Sequence, residues 1–485
     1  MRALFEGLVT FHISEDDTAA PGVAERWEPN EDFSVWTFYL REDAKWSNGE
    51  PITAHDFAYS YERVLTPELA SPYASMLFPL QGAEEFNKGE TDDFSTVGVK
   101  VIDDRTLELS LIGPMDYFPE VLKHTTWLPV PKETIEKFGK MTDRYTDWQR
   151  PGNHVGNGPF VLKSWRINHS LTVEPNSHYW DRETVKLNEI RFIPIPNEYT
   201  EERAFRDSRL HYTYTMPNNM IAWYRENQPH LLRTEPYAGS YFYRFNVNEP
   251  PMNDPKVRKA LTLAIDREAI VKNVTQGGQE PSFGFTPPFK GVYEPPKMVE
   301  FNPGKARELL AEAGYPNGEG FPGFQILINT QEAHRTVAET IQAMWKEHLG
   351  IDNVTINNQE WKVFQQTLHD LNYEVARSGW IGDYVHPMTF LTMWQTDDTN
   401  NETGWSNAEY DRLIREAFEA ADPAVRQEKM FAAEKILLDE LPIAPIYWYT
   451  RVYLLHPDVK NWNPKVLDNR PFKHVDLIDS GPAYQ

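Results

Sequence analysis

Ala376-Arg377-Ser378-Gly379-Trp380-Ile381-Gly382-Asp383-Tyr384 places a cation and an anion six positions apart, with two glycines and a tryptophan between them. A zwitterion such as a free peptide carries an ammonium at one end and a carboxylate at the other. Its complement is an acid for the amine, a base for the carboxylate, and accessible backbone along which an extended ligand can lie as an extra strand. Glycines let that backbone come close. If extended, six residues span roughly 20 Å at about 3.3 Å each, more than a dipeptide needs. The plainer alternative for the same stretch is a strand end followed by a Gly-Asp turn.

Working outward, periodicity separates strand regions from helical ones. Trp36, Phe38 and Leu40 alternate with Thr37, Tyr39 and Arg41, the period-two pattern of a strand with one buried face. A Ser47-Asn48-Gly49 turn follows, then a helix running through Tyr61 with Thr53 as its N-cap. Val99 to Leu111 reads as two short strands about Asp103-Asp104. Phe160–Trp165, Leu171–Glu174 and Ile190–Ile193 make the middle of the chain β-rich. The C-terminal half is more helical. Asp254-Pro255, Asn302-Pro303 and Asp422-Pro423 each set an N-cap before an N1 proline, and Gly314 closes the second of these helices. Val257, Ala260, Leu261, Ala264 and Ile265 share one helical face. Val337, Ile341, Met344 and Trp345 share another, on a helix that begins near His334. The reading is a mixed α/β or α+β globule of two to three domains, as 485 residues imply.

Composition narrows the chemistry. The chain is 40% hydrophobic and 13% aromatic, with 15 Trp and 23 Tyr, enough for full cores and for a cleft lined by flat faces. A net charge of −24 repels nucleic acid and anionic membranes, and no basic stretch offers a phosphate track. With no cysteine there is no disulfide, thiolate metal site or cysteine nucleophile. The 14 His never reach metal-ligand spacing, so neither a metal nor a cofactor is expected. No apolar run approaches membrane-spanning length. No signal peptide precedes Met1-Arg2-Ala3-Leu4-Phe5, which already reads as folded domain, so the chain is expected to be cytoplasmic or to lack upstream residues. No nucleophile elbow, metalloprotease helix, P-loop or dinucleotide fingerprint is present. With 72 acidic residues a glycosidase carboxylate pair stays open as a rival reading.

Several segments, in order along essentially the whole chain, resemble the periplasmic oligopeptide-binding proteins, the extracytoplasmic receptors of ABC peptide importers. They are Pro21–Glu28, Trp36–Gly49, Ile52–Phe57, Asn157-Gly158-Pro159-Phe160, Ala264-Ile265-Asp266-Arg267, Gln359-Glu360-Trp361 and the stretch quoted first. The resemblance implies an α/β, type II-like periplasmic binding protein of cluster C with two hinged lobes and an additional domain. Lobe I would comprise residues 1–5, 132–238 and 451–485, the additional domain 6–131, and lobe II 239–450. The chain would cross the hinge near Tyr237–Gly239 and Tyr449–Arg451. It further implies a monomeric periplasmic receptor without catalytic residues, whose partners are short peptides and membrane permease subunits. Relatives on the same fold take murein peptides, oligosaccharides or nickel chelates. By the resemblance Asp383 receives the ligand ammonium, and Gly379, Trp380 and Ile381 offer backbone. Arg377 and His334 meet ligand C-termini, and Trp361, Tyr214, Tyr237 and Tyr243 line side-chain pockets. Two positions that are basic in the family are Leu368 and Thr275 here, which withdraws those charges from longer peptides. Near Tyr214 the chain runs one residue short of the family pattern. Some forty residues that precede Leu4 in the family, together with the signal peptide, are expected to be missing, and with them part of the clamp over the ligand.

Overall fold

The computed structural model describes residues 1–15 and 18–478. Its organising element is a six-stranded mixed sheet. In spatial order its strands are Glu280–Pro281, Ile443–Leu454, Leu232–Phe245, Val375–Ile381, Phe324–Asn329 and Val354–Gln359. The first four neighbour one another antiparallel; Val375–Ile381, Phe324–Asn329 and Val354–Gln359 run parallel. Helices Pro255–Leu263, Pro303–Glu312 and Glu332–Leu349 pack on it through the faces read from the sequence: Val257, Ala260, Leu261, Ala264 and Ile265 on the first, Val337, Ile341 and Trp345 on the third, all buried. The caps are those expected. Asp254 accepts from Lys256 N, Asn302 from Lys305 N and Asp422 from Ala424 N, and Gly314 takes a left-handed φ of +97°.

The early chain builds its own antiparallel sheet, in the order Ala24–Pro29, Val35–Leu40, Thr106–Ser110, Val99–Asp103. Trp36, Phe38 and Leu40 point inward, as alternation requires. The helix after it spans Ala54–Leu65, and Thr53 N donates to the Asp56 carboxylate at 2.8 Å. A three-stranded sheet, Phe160–Arg166, Ser170–Pro175 and Ile190–Phe192, supplies the β-rich middle. Residues 198–227 then turn helical, as Glu198–Arg206 and Asn218–Asn227.

Two long strands tie these regions together. The register between Leu232–Phe245 and Ile443–Leu454 slips between Pro236↔Thr450 and Ser240↔Trp448. Beside the slip, on one side, Phe205, Met216, Ile221, Tyr224, Leu231 and Leu454 form a small core. On the other side, Tyr241, Tyr243, Phe245, Ala444, Ile446 and Tyr447 belong to the core of the six-stranded sheet. The same pair of strands thus serves separate apolar bodies, with Phe242 and Ile443 facing a third, and the irregularity falls at residues 237–239 and 449. Gly239 lies at this point; a Cβ there would meet Trp380 O at 2.9 Å and the Ile381 side chain.

Trp345 is fully buried and donates its indole N–H to Leu261 O at 2.8 Å, locking helix Glu332–Leu349 onto helix Pro255–Leu263. Trp345→Ala is expected to cost about 3–5 kcal/mol, from the cavity and from the orphaned carbonyl, as read by urea unfolding of the unliganded protein.

Candidate binding site

Three parallel strands deliver candidate residues to one end of the sheet. Phe324–Asn329 leads into helix Glu332–Leu349 with His334 in its first turn. Val354–Gln359 leads into helix Trp361–His369, and Val375–Ile381 runs on into Gly382 and Asp383. The carboxyl ends of parallel strands are where open α/β sheets place their ligands.

The strand Val375–Ile381 has one satisfied edge and one open edge. It pairs with Leu232–Phe245 along its whole length, from Phe245↔Val375 to Gly239↔Ile381. Gly382 N donates to Ala238 O at 2.9 Å, which makes 238/382 a hydrogen-bonded pair. By alternation the main-chain groups of Arg377, Gly379 and Ile381 face away from that neighbour. On the far side, pairing with Phe324–Asn329 covers only Val375 and Ala376. From Arg377 onward, no strand among the described residues takes up the edge.

At one end of this edge sits Arg377, 9% exposed. Its Nη2 donates to Tyr449 Oη at 2.7 Å and its Nη1 to Asn329 Oδ1 at 3.2 Å, and the guanidinium lies 4.7 Å from the Tyr241 ring centre. Nε is buried without a partner. No carboxylate among the described residues pairs with it. Burial alone would lower its pKa; the oxygens of Tyr449, Tyr241 and Tyr447 outweigh that and raise it, so the group stays cationic. Gly379 is required here. A Cβ would meet Tyr449 Oη at 2.6 Å and Arg377 Nη2 at 3.3 Å, breaking the contact that holds the guanidinium. His334 lies beside it, with Nδ1 3.4 Å from Tyr241 Oη. Burial, and then the Arg377 charge, depress His334 well below the usual histidine range, so it is neutral at pH 7.

At the other end, the Asp383 side chain is 15% exposed. Asp383 N donates to Thr389 Oγ1 at 2.9 Å, and that hydroxyl lies 3.3 Å from Asp383 Oδ2. Burial pushes the carboxyl up to about 6, against the pull of Thr389. Facing it at 3.7 Å is His124 Nε2, with the Tyr73 ring tilted against His124 at 5.5 Å. Burial, reinforced by Arg2, lowers His124 to about 4, so it brings no charge to Asp383 at pH 7. A facing wall for Asp383 is therefore present in the chain, in residues that the sequence reading missed. Their only sequence signal is a histidine and a tyrosine in otherwise apolar, turn-rich surroundings.

The other candidates divide. Trp380 is anchored by its indole N–H to Thr389 O at 2.8 Å, and Ile381 is partly buried beside it. Tyr237 meets Tyr449 edge-on at 6.2 Å, and Arg451 lies 5.4 Å from the Tyr237 ring and 4.3 Å from that of Tyr214, which is 59% exposed. Trp361, 52% exposed, stacks on Phe364 at 5.8 Å and lines a separate open groove with Lys362, Gln365, His369 and Glu402. Tyr243 has no exposed surface; it packs behind Tyr241 in the core. Leu368 and Thr275 are both buried, and neither offers a cation. Tyr449, the partner of Arg377, was not singled out from the sequence. No group of three or more metal-ligating side chains occurs among the described residues.

The family model for bacterial extracellular solute-binding proteins, family 5, middle region, matches residues 18–402. The chain belongs to this family. It is a solute receptor, not an enzyme, and it has the family's two lobes and extra domain. It is 38% identical to the periplasmic oligopeptide-binding protein OppA of Salmonella typhimurium, over 98% of this chain and 88% of that one. The Haemophilus influenzae OppA complex with the peptide RPPGFSPFR superposes with a TM-score of 0.89 at 33% identity, covering 99% of this chain and 94% of that one. A structure of the Escherichia coli murein tripeptide-binding protein MppA gives 0.90 at 34% identity, covering 99% and 93%. The unliganded open form of MppA gives only 0.72, covering 98% and 92%. As a whole the chain superposes better on the peptide complex than on that open form.

Because the folded Asp383 pKa lies above the unfolded value of 3.8, its relative stabilisation is present below about pH 4 and is lost as pH rises through 6. Asp383→Asn should therefore match the unliganded wild type near pH 4 and exceed it by about 2–3 kcal/mol at pH 7, as read from unfolding curves across that range.

Proposed function

We propose that this protein is the extracytoplasmic receptor of an ABC importer for short peptides, binding them between its lobes and handing them to membrane permease subunits. One observation carries the reading: along one open strand edge and the turn just beyond it lie a buried cation without an anion and a buried anion without a cation among the described residues. Each is incomplete alone, and a peptide zwitterion completes both. The ligand ammonium goes to Asp383, and the carboxylate of a short peptide goes to Arg377. Its main chain runs along Arg377, Gly379 and Ile381 as an added strand. Tyr237 and Tyr214 flank side-chain space near Arg377, with Trp361 beyond, while His334 and Tyr243 support Arg377 from behind. The names of the relatives, with oligopeptide- and murein-peptide-binding proteins among them, support the peptide class and the periplasmic side of the membrane.

The domain reading follows the register slip. Residues 1–5, 132–238 and 451–478 act as one lobe, 239–450 as the other and 6–131 as the additional domain, with the hinge at residues 237–239 and 449–451. Among the described residues no helix is long and apolar enough to cross a membrane.

Asp383→Ala would bury the ligand ammonium without its partner and should weaken tripeptide binding by roughly 10²–10³-fold in calorimetry at pH 7. An unchanged dissociation constant would remove Asp383 from the site. Arg377→Ala should cost peptides of two or three residues more than hexapeptides, and equal losses across lengths would exclude its role as carboxylate anchor.

A further inference from the structure

The loop that carries Asp383 is gripped by a residue far away in sequence. Tyr117 comes from the early part of the chain, yet its ring stacks face to face on His386, with centroids 3.7 Å apart and planes within 3°. It also stacks on Tyr384 at 6.1 Å. Both partners belong to the turn that follows Asp383. Inside that turn His386 N donates to Tyr384 O, Met388 N donates to His386 Nδ1 and Asp383 N donates to Thr389 Oγ1. A displacement of His386 is therefore transmitted to Thr389 and to the carboxylate. Tyr117 is itself oriented. The Arg426 guanidinium lies 5.2 Å from its ring centre, and Arg426 is held by Asp116 Oδ1 at 2.6 Å and by Pro114 O and Ala420 O. Burial, and then the Arg426 charge, lower His386 to about 3, so the ring is neutral and stacks without a charge of its own.

Resting on the reading of Asp383 as the ammonium anchor, we infer that Tyr117, held by the Asp116–Arg426 pair, is a positioning residue: stacked on Tyr384 and His386, it sets the Asp383 carboxylate where a ligand ammonium meets it. Tyr117 touches no ligand in this scheme. Its contribution depends on segment 113–117 staying packed against the Asp383 turn.

The test compares tri-alanine with N-acetyl-tri-alanine, which lacks the ammonium, by calorimetry at pH 7. The wild type should strongly prefer the free peptide. Tyr117→Leu should narrow that preference by about 3–10-fold, the worth of the lost stacks, while Tyr117→Phe keeps it within about twofold. Asp116→Asn changes a side chain that is 40% exposed and should narrow it by about 2–3-fold, which keeps the test available if Tyr117→Leu does not fold. Equal weakening of both ligands, or an unchanged ratio in variants that fold, would make the stack merely structural and overturn the inference. A wild type that binds tri-alanine no better than its acetylated form would instead overturn the ammonium role of Asp383 itself.

Discussion

A guanidinium taken out of water and given no carboxylate costs several kcal/mol, and much of the central sheet is arranged around meeting that cost for Arg377. Tyr449 and Asn329 accept its hydrogen bonds, and Tyr241 lies against its face. These three come from three different strands, so the contacts exist only if Ile443–Leu454, Leu232–Phe245, Phe324–Asn329 and Val375–Ile381 keep their registers. A slip of one residue would turn Arg377 and Tyr241 to opposite faces. Gly379 is the corollary in sequence: the hydroxyl of Tyr449 occupies the volume its side chain would need.

Local chemistry made much of this legible beforehand. The Asp-Pro and Asn-Pro caps, the capping contact of Asp56 on Thr53 and the alternation of Val35–Leu40 are short-range effects that operate before any tertiary contact forms. Arg377 and Asp383 could be paired from sequence because one strand carries Arg377 and ends two residues before Asp383, so that separation along the chain becomes distance in space. His124, Tyr73 and Tyr117 could not. They lie some 260 to 310 residues from Asp383, and no periodicity connects them. Tyr449 stood in an aromatic row, Tyr447-Trp448-Tyr449, whose period-two placement was a usable signal of an inward face. The burial of His334 and Tyr243 followed from the packing of helix Glu332–Leu349 on the sheet, which a polar residue near a helix start does not announce.

At the register slip the structure relies on charge more than on apolar interlock. Glu235 and Asp468 both pair with Arg470, and Asp468 pairs again with Arg451 at 2.9 Å. Arg451 also donates to Tyr212 Oη and Tyr214 O, and Tyr453 donates to Glu235. Satisfied charges of this kind specify geometry, because each alternative arrangement strands a buried ion. They fix the strand crossing while leaving a bulge, not a continuous ladder, where the chain must bend.

That Asp383 follows directly on the strand that carries Arg377 has a kinetic consequence. The span between them is set by covalent geometry and does not change when the lobes move. The groups packed against Asp383 and its turn, His124 and Tyr117, come from a distant part of the chain. On the proposed reading the spacing of the two charged ends is built in, while the fine aim of Asp383 depends on the groups packed against it, which therefore weigh on how long a cargo stays more than on how fast it arrives.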